Sequence, residues 1–187
     1  GLDHARLEAL ADETAELTRV GHEIILVSSG AILSGMEKLG METRPKSLPL
    51  KQAAAAVGQS RLIWAYEKAF EARGLKVAQV LLTSDDLGDR KRFLNSRNTL
   101  TTLLSMDVIP VINENDTVSV EELQTTFGDN DKLAAMVTNL LRAPLLIILS
   151  TVDGLLDDQK QVVSQVDRFD ERIMSFVHLN RIRLGRL

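Results

Sequence analysis

The sequence contains no cysteine, and aromatic residues make up only 4% of its 187 positions. Without cysteine the chain cannot form disulfides, thiolate zinc sites or thiol nucleophiles, a composition that suits a reducing, cytoplasmic compartment. Its net charge of −4 and scarce aromatic side chains give no basic stacking surface of the kind that binds nucleic acid. We therefore expect a small-molecule ligand and no nucleic-acid partner.

Long apolar runs are also lacking. The longest is the string LLIIL at residues 145–149, whereas a helix needs about 20 apolar residues to cross a bilayer. No charged start followed by an apolar stretch resembles a signal peptide, so we expect no membrane association. With 44% hydrophobic and 26% charged positions, the chain has the composition of one globular domain with its own core.

Helix and strand patterns alternate along the chain. Apolar residues spaced three and four apart predict helices near residues 3–20, 52–72, 97–106 and 131–141. Each is followed by a short, strongly apolar run typical of a buried parallel strand, at residues 23–27, 76–82, 108–112 and 145–149. This alternation predicts an α/β fold, in which helices cover both faces of an open, mainly parallel sheet.

Two details of this pattern carry structural expectations. Pro110 lacks a backbone N–H, so we expect an edge, a bulge or a distorted strand end at that position. The stretch 38–51 has few periodic apolar residues and two prolines, which predicts a surface loop.

Polar turns follow the strands, and in open parallel sheets ligands bind beyond the carboxyl ends of the strands. Ser28, Ser29, Gly30 and Ala31 follow the first strand and precede a predicted helix starting near Ile32. Such a turn aims free N–H groups and the positive end of a helix dipole at an anion. An ordinary helix cap would use the same residue types, and both interpretations stay open.

Three more polar clusters occupy equivalent places at residues 113–117, 128–131 and 150–154. The first offers carboxylate and amide groups that could hold the two ends of a zwitterion, although Asx turns use the same residues. In the second, two carboxylates flank Asn130, which is more than one helix cap requires. Four such turns at one edge of a sheet predict a ligand site.

Six strings occur in one order along residues 21–154: GHEIILVSSGA, KQAAAAVGQ, VAQVLLT, LNSRNTL, VIPVINENDTV and FGDNDKLAA. Together they resemble the glutamate 5-kinases of the amino acid kinase family, and the INEND and GDND strings are the most specific. The resemblance implies a three-layer αβα sandwich and ATP- and Mg²⁺-dependent phosphorylation of the L-glutamate γ-carboxylate, which opens proline biosynthesis. It also implies feedback inhibition by proline and a homo-oligomer, either a dimer or a tetramer.

The resemblance assigns the substrate site to particular residues. It places Ser29 and the Gly30 backbone at the glutamate γ-carboxylate and the transferring phosphoryl group. Asp116 and Asn113, with Asn115 nearby, would hold the ammonium and carboxylate ends of the amino acid. Asn130 would contact glutamate as well.

The resemblance also implies catalytic and nucleotide-binding positions. Asp131 would orient the cationic groups of the catalytic centre, and Ser150 and Thr151 would contact ATP. Members of the family usually carry an aspartate where Thr151 stands. The resemblance implies no protein ligand to a metal ion.

Two lysine-bearing strings of the family, one of VKVGS type and one of GTGGM…TK type, do not occur in this sequence. We therefore expect one amino acid kinase domain over residues 1–187 that lacks the first strand and the C-terminal portion. We also expect no PUA domain, the RNA-binding-like module that many members append. The missing lysines leave open a module that binds glutamate or proline without turnover. A kinase for aspartate, acetylglutamate, carbamate or UMP is a third hypothesis, against which the INENDTV and FGDND strings argue.

Overall fold

The computed structural model describes residues 2–118 and 129–184 and divides the chain into two compact units, with the boundary between Leu146 and Ile147. The elements of the first unit are α1 (His4–Arg19), β1 (Leu26–Val27), α2 (Ala31–Lys38), α3 (Leu48–Glu71), β2 (Lys76–Leu82), α4 (Ser84–Gly88), α5 (Arg90–Ser105), β3 (Val108–Glu114) and α6 (Asp129–Leu141). The second unit contains α7 (Glu171–Leu184) and an antiparallel bridge between Leu156 and Val162. Among the described helices, none is long and apolar enough to cross a membrane.

The first unit is built on three parallel strands in the order β1-β3-β2. Ile109 and Val111 of the central strand β3 join a core formed with α1, α2 and α3, whereas Ile112 joins a second core formed with α4, α5 and α6. Because successive residues of a strand point to opposite faces, the two cores lie on opposite sides of the sheet. The predicted α/β fold with helices on both faces of a parallel sheet is confirmed.

The predicted helices form, and three of them, α3, α5 and α6, are longer than expected. The Asp3 carboxylate caps α1 by accepting the Arg6 N–H at 3.1 Å. Helix α3 begins at Leu48 with a proline in its first turn, so the predicted loop at 38–51 is shorter than expected. Proline fits there because the first N–H groups of a helix have no partner within it.

The expectation of an edge, a bulge or a distorted strand end at Pro110 is wrong. Pro110 lies in the central strand and pairs in register with Ala78 of β2. Alternate residues of a strand direct their backbone groups to opposite neighbours. The Ile112 carbonyl accepts the Ser28 N–H, so Pro110 faces the β1 side as well. Strand β1 starts only at Leu26, opposite Val111, and the missing N–H of Pro110 therefore interrupts no ladder bond.

The predicted strand at residues 145–149 is wrong. This segment has no strand structure, and its side chains are between 37% and 77% exposed. A strand forms only where a neighbouring strand satisfies its N–H and C=O groups, and an apolar run cannot reveal whether such a neighbour is in reach. The first predicted strand is likewise reduced, from residues 23–27 to Leu26–Val27.

Thr83 and Asp86 form a capping box at the start of α4, directly after β2. The Thr83 Oγ1 accepts the Asp86 N–H at 3.2 Å, and the Asp86 Oδ2 accepts the Thr83 N–H at 2.8 Å. Burial raises the pKa of the Asp86 carboxyl, but the hydrogen bonds from Thr83 and the charge of Arg92 outweigh burial. The pKa of Asp86 is therefore lowered.

Replacing Asp86 with alanine is expected to lower the free energy of unfolding by about 1 kcal/mol at neutral pH, because the Thr83 N–H loses the carboxylate that accepts from it. A carboxylate with a lowered folded-state pKa stabilises the fold above its unfolded pKa of about 3.9, and this contribution disappears as pH falls through the folded pKa. In urea unfolding, the difference in stability between the variant and the wild type should be larger at about pH 7 than at about pH 2.5. Asp85→Ala, at the exposed neighbour, is the control, and an equal loss in both variants would contradict the cap.

Candidate active site

The turn after β1 lies at the carboxyl end of the sheet and leads into α2. The Ser28 N–H donates to the Ile112 carbonyl at 2.8 Å and so fixes the start of the turn to β3. Gly30 is the N-cap of α2 with φ of 104°, a conformation that L side chains rarely adopt. No described side chain caps this helix, so the first N–H groups of α2 are suited to an anion.

Asn130 reaches this turn from the first turn of α6, 102 positions along the chain. Its Nδ2 donates to the Ser28 carbonyl at 2.9 Å and to the Asn113 Oδ1 at 3.5 Å. Asn113, near the end of β3, is 3% exposed, and its Oδ1 also accepts the Glu114 N–H at 2.9 Å. Two asparagine amides thus join three distant segments at one edge of the sheet.

Helix α3 adds two residues to this cluster. The Gln59 Oε1 accepts the Asn113 Nδ2 at 2.8 Å, and the Tyr66 hydroxyl donates to the Ser28 Oγ at 3.0 Å. Burial raises the pKa of the Tyr66 phenol and the Ser28 hydrogen bond partly offsets this, so Tyr66 remains a hydrogen donor at neutral pH. The two residues are seven positions apart and share one face of the helix.

The sequence patterns assigned no site role to Gln59 or Tyr66. A signal was nevertheless present, because Gln59 lies two helical turns before the inward-facing Tyr66. A polar residue on the inward face of a helix requires a partner, since burying an unpaired polar group is costly. The pattern could have indicated that Gln59 has a partner, but it could not have identified Asn113.

The remaining residues predicted for the first unit are near members of the cluster in the sequence. Ser29 is exposed next to Ser28, and Asp131 is exposed next to Asn130. Asp116 is partly buried in the turn after β3. In that turn the Asn115 Oδ1 accepts the Thr117 hydroxyl at 2.7 Å, a local contact of the kind expected for a turn residue.

Other predicted positions lie outside this cluster or outside the described residues. Ser150 and Thr151 belong to the second unit, where both are exposed, and the Ser150 Oγ accepts the Val152 N–H at 3.3 Å. Their role in nucleotide binding stays a prediction. Gly128 of the GDND string lies outside the described residues.

A small cleft at the ends of β2 and β3 adjoins the cluster. Leu82, Leu133 and other apolar side chains line it together with Glu114 and Lys132. Its volume of about 30 Å³ suits one or two water molecules rather than an amino acid.

The sequence is similar to those of known proteins. Its first 175 residues match a family model described as "Amino acid kinase family". A protein of Geobacter metallireducens named "Glutamate 5-kinase" is 60% identical over 157 residues, which are 84% of this chain and 42% of that protein. A second "Glutamate 5-kinase", from Thioalkalivibrio sulfidiphilus, is 49% identical over 100% of this chain and 51% of its own length. The chain therefore spans about half, or less, of these curated relatives.

Proposed function

The chain belongs to the amino acid kinase family, and from this premise we propose that it binds L-glutamate and ATP and forms γ-glutamyl phosphate and ADP. The similar relatives named "Glutamate 5-kinase" support this substrate. The observation that carries the proposal is the hydrogen bond from Asn130 to the Ser28 carbonyl. It joins the GDND segment to the SSGA turn beside the INEND segment, so three of the six strings that carry the resemblance meet in one cluster.

The reaction needs an acceptor carboxylate held in line with the γ-phosphate of ATP. The glutamate side chain, with a reference pKa of about 4.3, is ionised at neutral pH, so no general base is required. Ser29 and the first N–H groups of α2 would hold the γ-carboxylate and the moving phosphoryl group, because helix N-termini stabilise anions. Positioning and charge neutralisation account for most of the catalysis of such a transfer.

The acidic residues would form charge-assisted contacts with the cationic groups in the site. We assign Asp116 to the substrate ammonium group and Asp131 to the cationic groups around the phosphates. The family also implies Mg²⁺, which when bound would neutralise charge on the phosphates. The described residues contain no group of three or more His, Asp or Glu side chains suited to a metal ion. Phosphate oxygens and water would thus supply most of the magnesium ligands.

The proposal extends to the remaining properties that the resemblance implies. Ser150 and Thr151 would contact the nucleotide, proline would inhibit the reaction, and the protein would form a homo-oligomer. We also propose the cytoplasm as its compartment, because the reaction consumes ATP and a free amino acid.

Hydroxylamine trapping tests the reaction directly, because it converts an acyl phosphate into a hydroxamate that can be quantified. We expect hydroxamate and ADP to form in equal amounts with L-glutamate, and much less product with L-aspartate, N-acetylglutamate or carbamate. Product with one of these acids and none with glutamate would overturn the substrate assignment.

Asp116→Asn is expected to weaken glutamate binding more than ATP binding. A charge-assisted hydrogen bond to an ammonium group contributes about 1.5–3 kcal/mol, so the Kd for glutamate should rise by about 10- to 150-fold. Calorimetric titration with L-glutamate and with a non-hydrolysable ATP analogue measures both effects. Asp107→Asn, at an exposed position before β3, is the matched control, and equal weakening for both ligands would contradict the assigned role.

A further inference from the structure

We infer that Tyr66 of α3 is a positioning residue, which acts through the Ser28 hydroxyl to keep the Gly30 N–H directed at the anionic group that binds the turn after β1. The identity of that group, a γ-carboxylate or a moving phosphoryl group, rests on the proposed function. The orientation of the N–H rests on the hydrogen bonds of the turn.

The Tyr66 and Ser28 hydroxyls form a hydroxyl relay that ends on a backbone carbonyl. Tyr66 donates to the Ser28 Oγ at 3.0 Å, and the Ser28 Oγ donates to the Ser29 carbonyl at 3.3 Å. Tyr66 is 8% exposed and Ser28 is 6% exposed. In the reverse direction the Tyr66 hydrogen would have no acceptor among the described residues, and the Ser29 carbonyl would lose its donor. Because burying an unpaired polar group is costly, one direction of the relay is favoured.

The hydroxyl relay acts on the peptide between Ser29 and Gly30, which the other contacts of the turn leave free. The Ser28 N–H donates to the Ile112 carbonyl, and the Ser28 carbonyl accepts from the Asn130 Nδ2. Those two bonds hold the two preceding peptides. In the described part of the chain, the Ser29 carbonyl has no donor other than the Ser28 Oγ.

Glycine at position 30 allows this peptide to turn over. Its φ is 104°, and glycine adopts positive and negative φ about equally, so its own backbone does not select one orientation. In a trans peptide the N–H points opposite to the C=O. With the Ser29 carbonyl held by the Ser28 hydroxyl, the Gly30 N–H therefore points away from the hydroxyl relay. Within residues 2–118 and 129–184 this N–H has no acceptor, so it is available to a ligand. The opposite orientation would present a carbonyl oxygen to the anion and repel it.

Titration with inorganic phosphate, followed through the Gly30 amide signal in ¹⁵N NMR spectra, tests this role without turnover. Tyr66→Phe removes the hydroxyl and keeps the ring, whose centroid lies 5.9 Å from that of Phe70. Because one ordered hydrogen bond to the anion is at stake, we expect the Kd for phosphate to rise about tenfold. Ser28→Ala should raise it equally. The double variant should bind phosphate no more weakly than either single variant, because all three interrupt the same relay.

Thr14→Val is the matched control, because it removes another buried hydroxyl, which donates to the Leu10 carbonyl within α1. Its Kd for phosphate should stay within about twofold of the wild-type value. An unchanged Kd in Tyr66→Phe, or an equal rise in Thr14→Val, overturns the inference, and so does a wild-type Gly30 signal that phosphate does not shift. If circular dichroism shows that Tyr66→Phe is unfolded, Ser28→Ala decides by the same criteria. Should no hydroxamate form with any acid, the glutamate proposal fails, and the phosphate titration still decides the role of Tyr66.

Discussion

Gly58→Ala is expected to lower the free energy of unfolding by about 3 kcal/mol, at the upper end of the usual cost of overpacking. A Cβ at this position would collide with the Ala31 carbonyl of α2 and with the Gly35 N–H group, and both are backbone atoms. Backbone cannot rotate away as a side chain can, so the two helices would have to separate. The better helix propensity of alanine, about 1 kcal/mol, offsets only part of this cost.

Moving α2 and α3 apart would also disturb the candidate site, because α2 starts at Gly30 and α3 carries Gln59 and Tyr66. Urea unfolding measures the loss of stability, and Gly88→Ala serves as the control. A Cβ at Gly88, the last residue of α4, meets no atom within 4 Å. The free energy of unfolding of Gly88→Ala should stay within about 1 kcal/mol of the wild-type value. A similar stability for the two variants would show that the helices do not cross as closely as described.

Asn130→Asp is expected to lower the free energy of unfolding by a similar amount, roughly 3 kcal/mol at neutral pH, although it only changes one side-chain nitrogen to oxygen. The Asn130 nitrogen donates to the Ser28 carbonyl and to the Asn113 oxygen. A carboxylate in its place would direct negative charge at two acceptors and lose both hydrogen bonds. The loss would loosen α6 from the turn after β1.

The pH dependence identifies this mechanism. A protonated carboxyl can donate one hydrogen bond, so the fold raises the pKa of the introduced group above its unfolded value of about 3.9. The destabilisation is therefore complete above the folded pKa and is relieved as pH falls toward about 4. Asn98→Asp, at an exposed position of α5, is the control and should show little effect. A loss of stability that does not change between about pH 7 and pH 4 would argue against the two hydrogen bonds.

Local sequence patterns predicted most of the elements. Strand β2 agrees in both bounds with its apolar run, and α6 begins within two residues of its predicted start at Asp131. These features depend on neighbours one to four positions away, which a sequence displays directly. The short helix α4 was missed although Thr83 and Asp86 carry its cap, because five residues are too few for a helical period to emerge.

The polar turns near the candidate site could be recognised in the sequence, but the contacts between them could not. Polar turns after the strands indicated Ser29, Asn113 and Asn130 as members of one edge, and the structure brings the segments that carry them together. The supporting contacts span 38 positions between Ser28 and Tyr66 and 54 between Asn113 and Gln59. No periodicity reaches across such separations.

The sequence alone therefore determined the α/β alternation, the helix caps and the polar character of the strand ends, since each follows from the chemistry of adjacent residues. Tertiary structure decided that Pro110 lies in the central strand, that residues 145–149 form no strand, and that the Gln59 Oε1 accepts from the Asn113 amide. These outcomes depend on which backbone and side-chain groups meet after the chain folds. Each hydrogen bond forms between two groups that meet only in the folded chain. The sequence around one of these groups does not identify the other.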